Sequence, residues 1–423
     1  MDYYKLLASQ EPEKEALVVD GISYTYGRLV EMADMLSGRW GAEKGKLRQE
    51  KTARRVVHII KEKDIVTQLV SFLACSVIGE IPLIVPYDTR QYKNGQLLEE
   101  IEIPPGACMA VSTSGTTGKP KIYFRTYESW AGYFPIQNDI FMVNGDSRLF
   151  MQGSLAFTGN LNLYMAQFYA GAAVIAENAF SPKKWADAIE KQKASSIYLI
   201  PSKLMLLPKV VKEKMPGVSM VISGSQSFGK KEADELKKCF PNTKILLYYA
   251  ASELNYVTYV MDDDMTKERS LIGKPFPQVE AFLQDGEIYV NTKYHVEGIC
   301  CPYSLSDNAY QDEEGNFYFA GRKDDILLIR GRKISAIKIE NILEQLPEIR
   351  EAAVTGENKE TGEPYLVAYI ALQEGEKYQE QKVRQKLRQS LAHYEMPRRF
   401  YTVKKLPRNE SGKVDKQRLN MVQ

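Results

Sequence analysis

The residues with the clearest chemical potential form one run, Ser112-Thr-Ser-Gly-Thr-Thr-Gly-Lys-Pro-Lys121. Gly115 and Gly118 free the backbone to present successive N–H groups. The hydroxyls of Ser112, Thr113, Ser114, Thr116 and Thr117 add donors, and Lys119 and Lys121 add positive charge. Backbone donors, hydroxyls and point cations on one turn suit a polyphosphate. A Walker-type loop would space its glycines as Gly-x-x-x-x-Gly-Lys-Ser/Thr and run into a helix. Here the glycines are closer and Lys119 is followed by Pro120, which opposes a helix. The apolar flanks Met109–Val111 and Ile122–Phe124 predict strand, loop, strand.

The elements that must position this loop alternate between helix and strand. Tyr24 to Trp40 places apolar residues at helical spacing, and Val56–Ile60 reads as a short buried strand. Ile65–Ile78 follows as a helix and Glu80–Val85 as a strand. Further on, strands are expected at Ala172–Ala176, Ser196–Ile200, Met220–Ser223 and Lys244–Tyr249, with helices at Lys183–Lys193 and Lys230–Cys239. This order predicts a parallel sheet covered by helices. From Ile272 to Gly321 short alternating strands, separated by turns such as Asp285-Gly286, predict a small antiparallel, barrel-like unit. After it, Lys338–Gln345, Glu351–Gly356, Tyr365–Leu372 and Gln379–Ala392 predict a compact α+β domain. The fold class is therefore α/β: a large N-terminal domain of βα subdomains with a small β-barrel-like unit, then a small α+β domain. The expected boundary puts residues 1–322 in the first domain and 323–423 in the second.

Composition narrows the function classes. The 423 residues carry 56 basic and 54 acidic side chains, a net charge of +2, and offer no charge footprint for nucleic acid. The longest apolar stretch, Val66–Pro86, is interrupted by Gln68, Gly79, Glu80 and Pro82, so no membrane span is expected. Cys75, Cys108, Cys239, Cys300 and Cys301 form no Cys-x-x-Cys pair and read as buried free thiols. With no signal peptide at the N-terminus, the expected location is cytoplasmic. His58, His295 and His393 lie far apart in sequence, which argues against a histidine-based metal site.

With its flanks, the loop resembles the signature of adenylate-forming enzymes, the superfamily of acyl- and aryl-CoA synthetases, peptide-synthetase adenylation domains and luciferases. The family pattern ends in Gly where this chain has Ile122. Further segments follow in the family's order, each alone compatible with an ordinary polar turn. Tyr248-Tyr-Ala-Ala-Ser-Glu253 is similar to the family's Tyr-Gly-x-Thr-Glu. The resemblance implies that Tyr249 stacks on adenine, Ser252 contacts the phosphates and Glu253 holds Mg²⁺. Gly224 and Ser225 sit where the family lines the adenine site. Tyr303-Ser-Leu-Ser-Asp307 and Gly321-Arg-Lys-Asp-Asp325 resemble two more motifs. They imply ribose contacts from Asp307 and Arg322, and a hinge at Asp324. Leu406-Pro-Arg-Asn-Glu-Ser-Gly-Lys413 resembles the segment that carries the mobile catalytic lysine, here Lys413.

What this implies is ATP-dependent activation of a carboxylic acid to an acyl-adenylate, with release of pyrophosphate and transfer to a thiol. The implied cofactors are ATP and Mg²⁺, with coenzyme A or a phosphopantetheine thiol as acceptor. Catalytic roles fall on Lys413 and Glu253. Amino-acid-activating relatives hold the substrate ammonium with an aspartate, and that position falls near Ala156. No acid occurs from Arg148 to Ala176, and an ammonium buried without a counter-charge is costly. The expected substrate is thus an uncharged fatty or aryl acid, with Ala156 and Phe157 in its pocket and Phe157 at the place of a gating aromatic. The alternatives are a stand-alone aryl-acid enzyme that loads a carrier protein, and a degenerate nucleotide-binding protein.

Overall fold

The computed structural model describes residues 2–45, 55–113, 121–322, 326–329, 332–357, 364–408 and 414–421. The chain divides into two compact units. The first comprises Met1–Asp264, Pro275–Ala281 and Val290–Tyr303; the second comprises Met265–Lys274, Phe282–Tyr289 and Ser304–Gln423.

The first unit opens with α1 (Tyr3–Ala8), β1 (Glu15–Val19), β2 (Ile22–Thr25) and α2 (Tyr26–Gly45). A small layer follows: β3 (Val57–Ile60), α3 (Ile65–Val77), β4 (Ile81–Ile84) and β5 (Leu97–Leu98). Helix α3 starts where Asp64 accepts from the Thr67 amide at 2.8 Å, a cap worth ~1 kcal/mol. Next come β6 (Ala107–Thr113), β7 (Lys121–Thr126), α4 (Glu128–Ala131), α5 (Phe134–Ile140), β8 (Arg148–Gln152), α6 (Thr158–Tyr169), β9 (Ala173–Glu177), α7 (Pro182–Lys191), β10 (Ser196–Tyr198), α8 (Pro201–Leu204), β11 (Met220–Gly224), α9 (Lys230–Cys239), β12 (Lys244–Ala251) and β13 (Asn255–Met261). Strands β1, β9, β8, β10, β11 and β12 lie side by side in that order, all parallel. The antiparallel strands β2 and β13 close the two edges of this set. β8 to β11 carry almost wholly buried runs, the pattern of a sheet covered on both faces.

The β6–β7 hairpin packs on the β3–β4 layer through Val57, Ile59, Ile81, Leu83, Ala107, Ala110 and Phe124. In the same layer His58 Nδ1 lies 2.8 Å from Glu80 Oε2, with the Trp40 ring against the imidazole. Among the five cysteines, Cys75 and Cys239 are buried as expected; Cys300 is exposed and Cys108 and Cys301 are intermediate, and none of the five is in a disulfide. No described helix is long and apolar enough to cross a membrane.

An antiparallel set follows whose residues fall mainly in the second unit: β14 (Leu271–Pro275), β15 (Glu280–Gln284), β16 (Glu287–Asn291), β17 (Tyr303–Gln311) and β18 (Phe317–Arg322). β18 pairs with both β14 and β17. The Asp285-Gly286 turn has φ of +52° and +79°, a left-handed pair in which glycine carries no steric cost. After β19 (Ile326–Ile329) and β20 (Arg332–Ser335), the α+β part forms from α10 (Ala336–Glu344), β21 (Ile349–Glu357), β22 (Tyr365–Leu372), α11 (Glu380–Ser390) and β23 (Arg399–Val403). One face of the β21–β22–β23 sheet buries Val354, Ala368 and Ile370 against Ile339, Leu343, Val383 and Leu387 of the two helices. The other face buries Val367 and Tyr369 with Leu406 and Leu419.

Candidate active site

Four parallel strands, β8, β10, β11 and β12, bring their carboxyl ends together, and open α/β sheets bind ligands at such ends. β11 ends at Gly224, followed by Ser225 at φ +69°. A Cβ on Gly224 would stand 2.8 Å from Cε2 and Cζ of Tyr248 on the neighbouring strand. That ring cannot retreat. Its hydroxyl donates to the Tyr198 hydroxyl at 2.9 Å, and it packs edge-to-face with the Tyr256 ring, centroids 4.9 Å apart. Gly224→Ala is therefore expected to force the turn outward. The KM for ATP should rise at least about tenfold, and stability should fall by roughly 1–3 kcal/mol. Titrating ATP in a steady-state assay checks this.

Alternation along β12 separates its two tyrosines. Tyr248 is buried, while Tyr249, expected on the adenine, is only partly so. Beyond the strand, Ser252 and Glu253 are half-buried. Their backbone is tied down by Arg125 of β7, whose side chain has no exposed surface. One guanidinium nitrogen donates to Ser252 O at 2.7 Å, and another donates to Tyr294 O at 3.1 Å. The Val296 amide donates to Glu253 O at 2.8 Å. Burial lowers the Arg125 pKa to about 10, and the Glu253 charge opposes that shift. On the same strand, burial first and Glu253 second raise the Tyr123 hydroxyl to about 12. Glu253 is thus electrostatically coupled to the strand that leaves the glycine-rich loop.

That loop is closed at its base by β6 and β7, where Ser112 stands opposite Ile122 and Thr113 opposite Lys121. Ser114, Gly115, Thr116, Thr117, Gly118 and Lys119 lie outside the described residues. The strand–loop–strand reading holds at both flanks. Facing Ser252 is the start of α6: the Ser252 hydroxyl donates to Thr158 Oγ1 at 3.4 Å. The N-cap residue of α6, Phe157, offers no side-chain acceptor to the first amides of the helix. Ala156 and Phe157 precede it. Phe157 is 44% exposed and so is not a core residue.

In the second unit Asp307 is buried, and the β17–β18 register sets it opposite Arg322. Asp324 and Lys413 fall outside the described residues. The segment that carries Lys413 is anchored at both ends. Leu406 is buried, Arg408 bridges Val414, and the Asp415 amide donates to Pro407 O at 2.8 Å.

The sequence reading missed Arg125, Thr158 and Tyr198. Arg125 carried a signal, a charge directly after the apolar run Ile122-Tyr-Phe124 of β7. In the run Asp262-Asp-Asp264, Asp263 and Asp264 are exposed, yet Asp262 is 1% exposed. Its carboxylate accepts from the Ile245 amide at 2.8 Å and pairs with Lys237. Its role is to join α9 to β12, which is structural.

The chain belongs to the AMP-binding enzyme family: the family model matches residues 89–300, and the AMP-binding enzyme C-terminal domain matches residues 338–413. Among curated relatives it is 30% identical to a putative long chain fatty acid–CoA ligase, VraA, of Staphylococcus haemolyticus, over 71% of this chain and 67% of that one. It is 25% identical to the 2-succinylbenzoate–CoA ligase of Listeria monocytogenes over 96% of both chains. Its fold matches the O-succinylbenzoate coenzyme A synthetase MenE of Bacillus subtilis, solved with ATP and magnesium ion, at a TM-score of 0.82 and 17% identity over 99% of both chains.

Proposed function

We propose that this enzyme uses ATP to convert a carboxylic acid into an acyl-adenylate and then passes the acyl group to coenzyme A. The observation that carries the reading is the strand-end site, where Arg125 fixes Ser252 and Glu253 beside the strand leaving the glycine-rich loop, in a chain matched by both AMP-binding models. The acceptor follows from the relatives, which are named as CoA ligases rather than carrier-protein enzymes.

Attack of a carboxylate on the α-phosphate brings two anions together, so catalysis consists of positioning and charge stabilisation. No general base is required, because the nucleophile is ionised at neutral pH. In this reading Tyr249 stacks on the adenine, and Gly224 and Ser225 line its edge. Asp307 and Arg322 hold the ribose. The 112–121 loop and Ser252 take the phosphates. Glu253 offers the hard oxygen that suits Mg²⁺, which when bound supplies charge neutralisation at the pyrophosphate. Lys413 binds the α-phosphate and the substrate carboxylate. Residues 323–423 turn about Asp324 between the two half-reactions.

The test is acid-dependent exchange of pyrophosphate into ATP across fatty, aryl and amino acids, followed by thioester formation with coenzyme A. Exchange is expected with one or more carboxylic acids that carry no ammonium group and not with amino acids. Glu253→Gln should lower it by roughly 10²-fold and raise the Mg²⁺ requirement. Absence of exchange with every acid overturns the proposal.

A further inference from the structure

The region between β8 and α6 holds a cation with no acidic partner among the described residues. Lys203, in α8 just beyond β10, reaches across to the neighbouring β8. Its Nζ donates to the main-chain oxygen of Gln152 at 3.2 Å and to Gln152 Oε1 at 2.7 Å. Both acceptors are neutral, and an ammonium has a third donor to place. Gly153 lies beside the amine: a Cβ there would stand 3.5 Å from Nζ. Burial alone pushes the Lys203 amine down to about 8; no neighbouring charge contributes. The segment Arg148 to Ala176, which supplies this part of the site, contains no acid at all.

Contacts along the β8–α6 connection place Lys203 at the far end from the phosphate-side residues. Ser252 touches Thr158 at the α6 end, and Gly159 borders the Tyr198 and Tyr248 hydroxyls. Asn160 donates to Ser154 O at 2.9 Å, and Gly153 completes the run beside Lys203. An acid whose reacting carboxylate lies at the Ser252 end would send its other end along this connection. A neutral acyl body there would strip water from the ammonium without compensation. An anionic group would satisfy the third donor and the charge together.

We infer that Lys203 is a specificity-determining residue that pairs with a second carboxylate on the substrate, remote from the one that is activated, so that the substrate class is a dicarboxylic acid. This inference rests on the adenylation reading and replaces the uncharged acid expected from the sequence. The absence of acids between Arg148 and Ala176 disfavours a substrate ammonium there.

The test uses the full-length enzyme and ATP–pyrophosphate exchange with a panel of alkyl and aryl dicarboxylic acids, each paired with its monomethyl ester. Wild type is expected to favour the free diacid in kcat/KM by about 30-fold or more, the range of a desolvated charge pair. Lys203→Met should erase that preference by lowering the diacid value while leaving the ester value within a few-fold. Lys203→Arg should retain most of the preference. Wild-type preference for the esters, or an equal loss for both members in Lys203→Met, overturns the assignment. Should Lys203→Met fail to fold, Lys203→Gln gives the same comparison, and the wild-type ratio stands alone. Exchange with no acid of any kind would instead defeat the underlying adenylation reading.

Discussion

Lys413→Ala is expected to abolish acyl-adenylate formation, with ATP–pyrophosphate exchange falling by roughly 10²- to 10³-fold or more. Thioester formation from supplied acyl-adenylate should stay within a few-fold of wild type. The first half-reaction joins two anions, and a single cation at the α-phosphate acts only there. The second half-reaction starts from a neutral mixed anhydride carbon and does not need that charge. The anchors on either side, buried Leu406 and the Arg408–Val414 bridge, stay intact in this variant, so a folding defect is not expected. Equal loss of both half-reactions would remove Lys413 from the proposed role. The measurement is isotope exchange for the first step and coenzyme A consumption for the second.

Arg125→Met should separate activity from stability. The substitution leaves Ser252 O and Tyr294 O without their guanidinium donors, at about 1–3 kcal/mol for each carbonyl left buried and unpaired. It also relieves the burial of a cation that is held by neutral oxygens, which offsets part of that loss. The net destabilisation should be about 1–3 kcal/mol, seen as a modest fall in thermal midpoint. The activity loss should be larger, about 10²-fold in exchange, because displacing Ser252 and Glu253 by an ångström misplaces the reacting groups. Arg125→Lys should not rescue it, since one ammonium cannot reproduce the planar fork that spans Ser252 and Tyr294. Activity that merely tracks the folded fraction would reduce Arg125 to a packing role.

These two residues mark the limits of what the sequence discloses. The helix Lys230–Cys239 is legible because its residues form a local pattern, and there expectation and structure coincide; Lys413, expected from the pattern of its neighbours, lies outside the described residues. Parallel strands such as Met220–Gly224 were legible as buried apolar runs. Arg125 was not, because its partner Ser252 lies 127 positions away and no local periodicity encodes a long-range hydrogen bond. The same reason hid Asp262, whose burial depends on α9 supplying Lys237. It also hid Lys203, whose meaning comes from the neighbouring strand rather than from its own segment. Phe157, expected at the place of a gating aromatic, is 44% exposed, which rules out core packing for it.

The contact between Gly224 and the Tyr248 ring carries a consequence for descent. Because the ring is held by Tyr198 and Tyr256, neither partner of the contact can enlarge or shift by a single substitution without collision. A lineage could place a side chain at position 224 only after the aromatic at 248 had been trimmed, and trimming it first would open a void in the core. Both orders pass through an intermediate that carries either a clash or a void. The geometry of one glycine and one ring therefore restricts the route by which this turn could diversify.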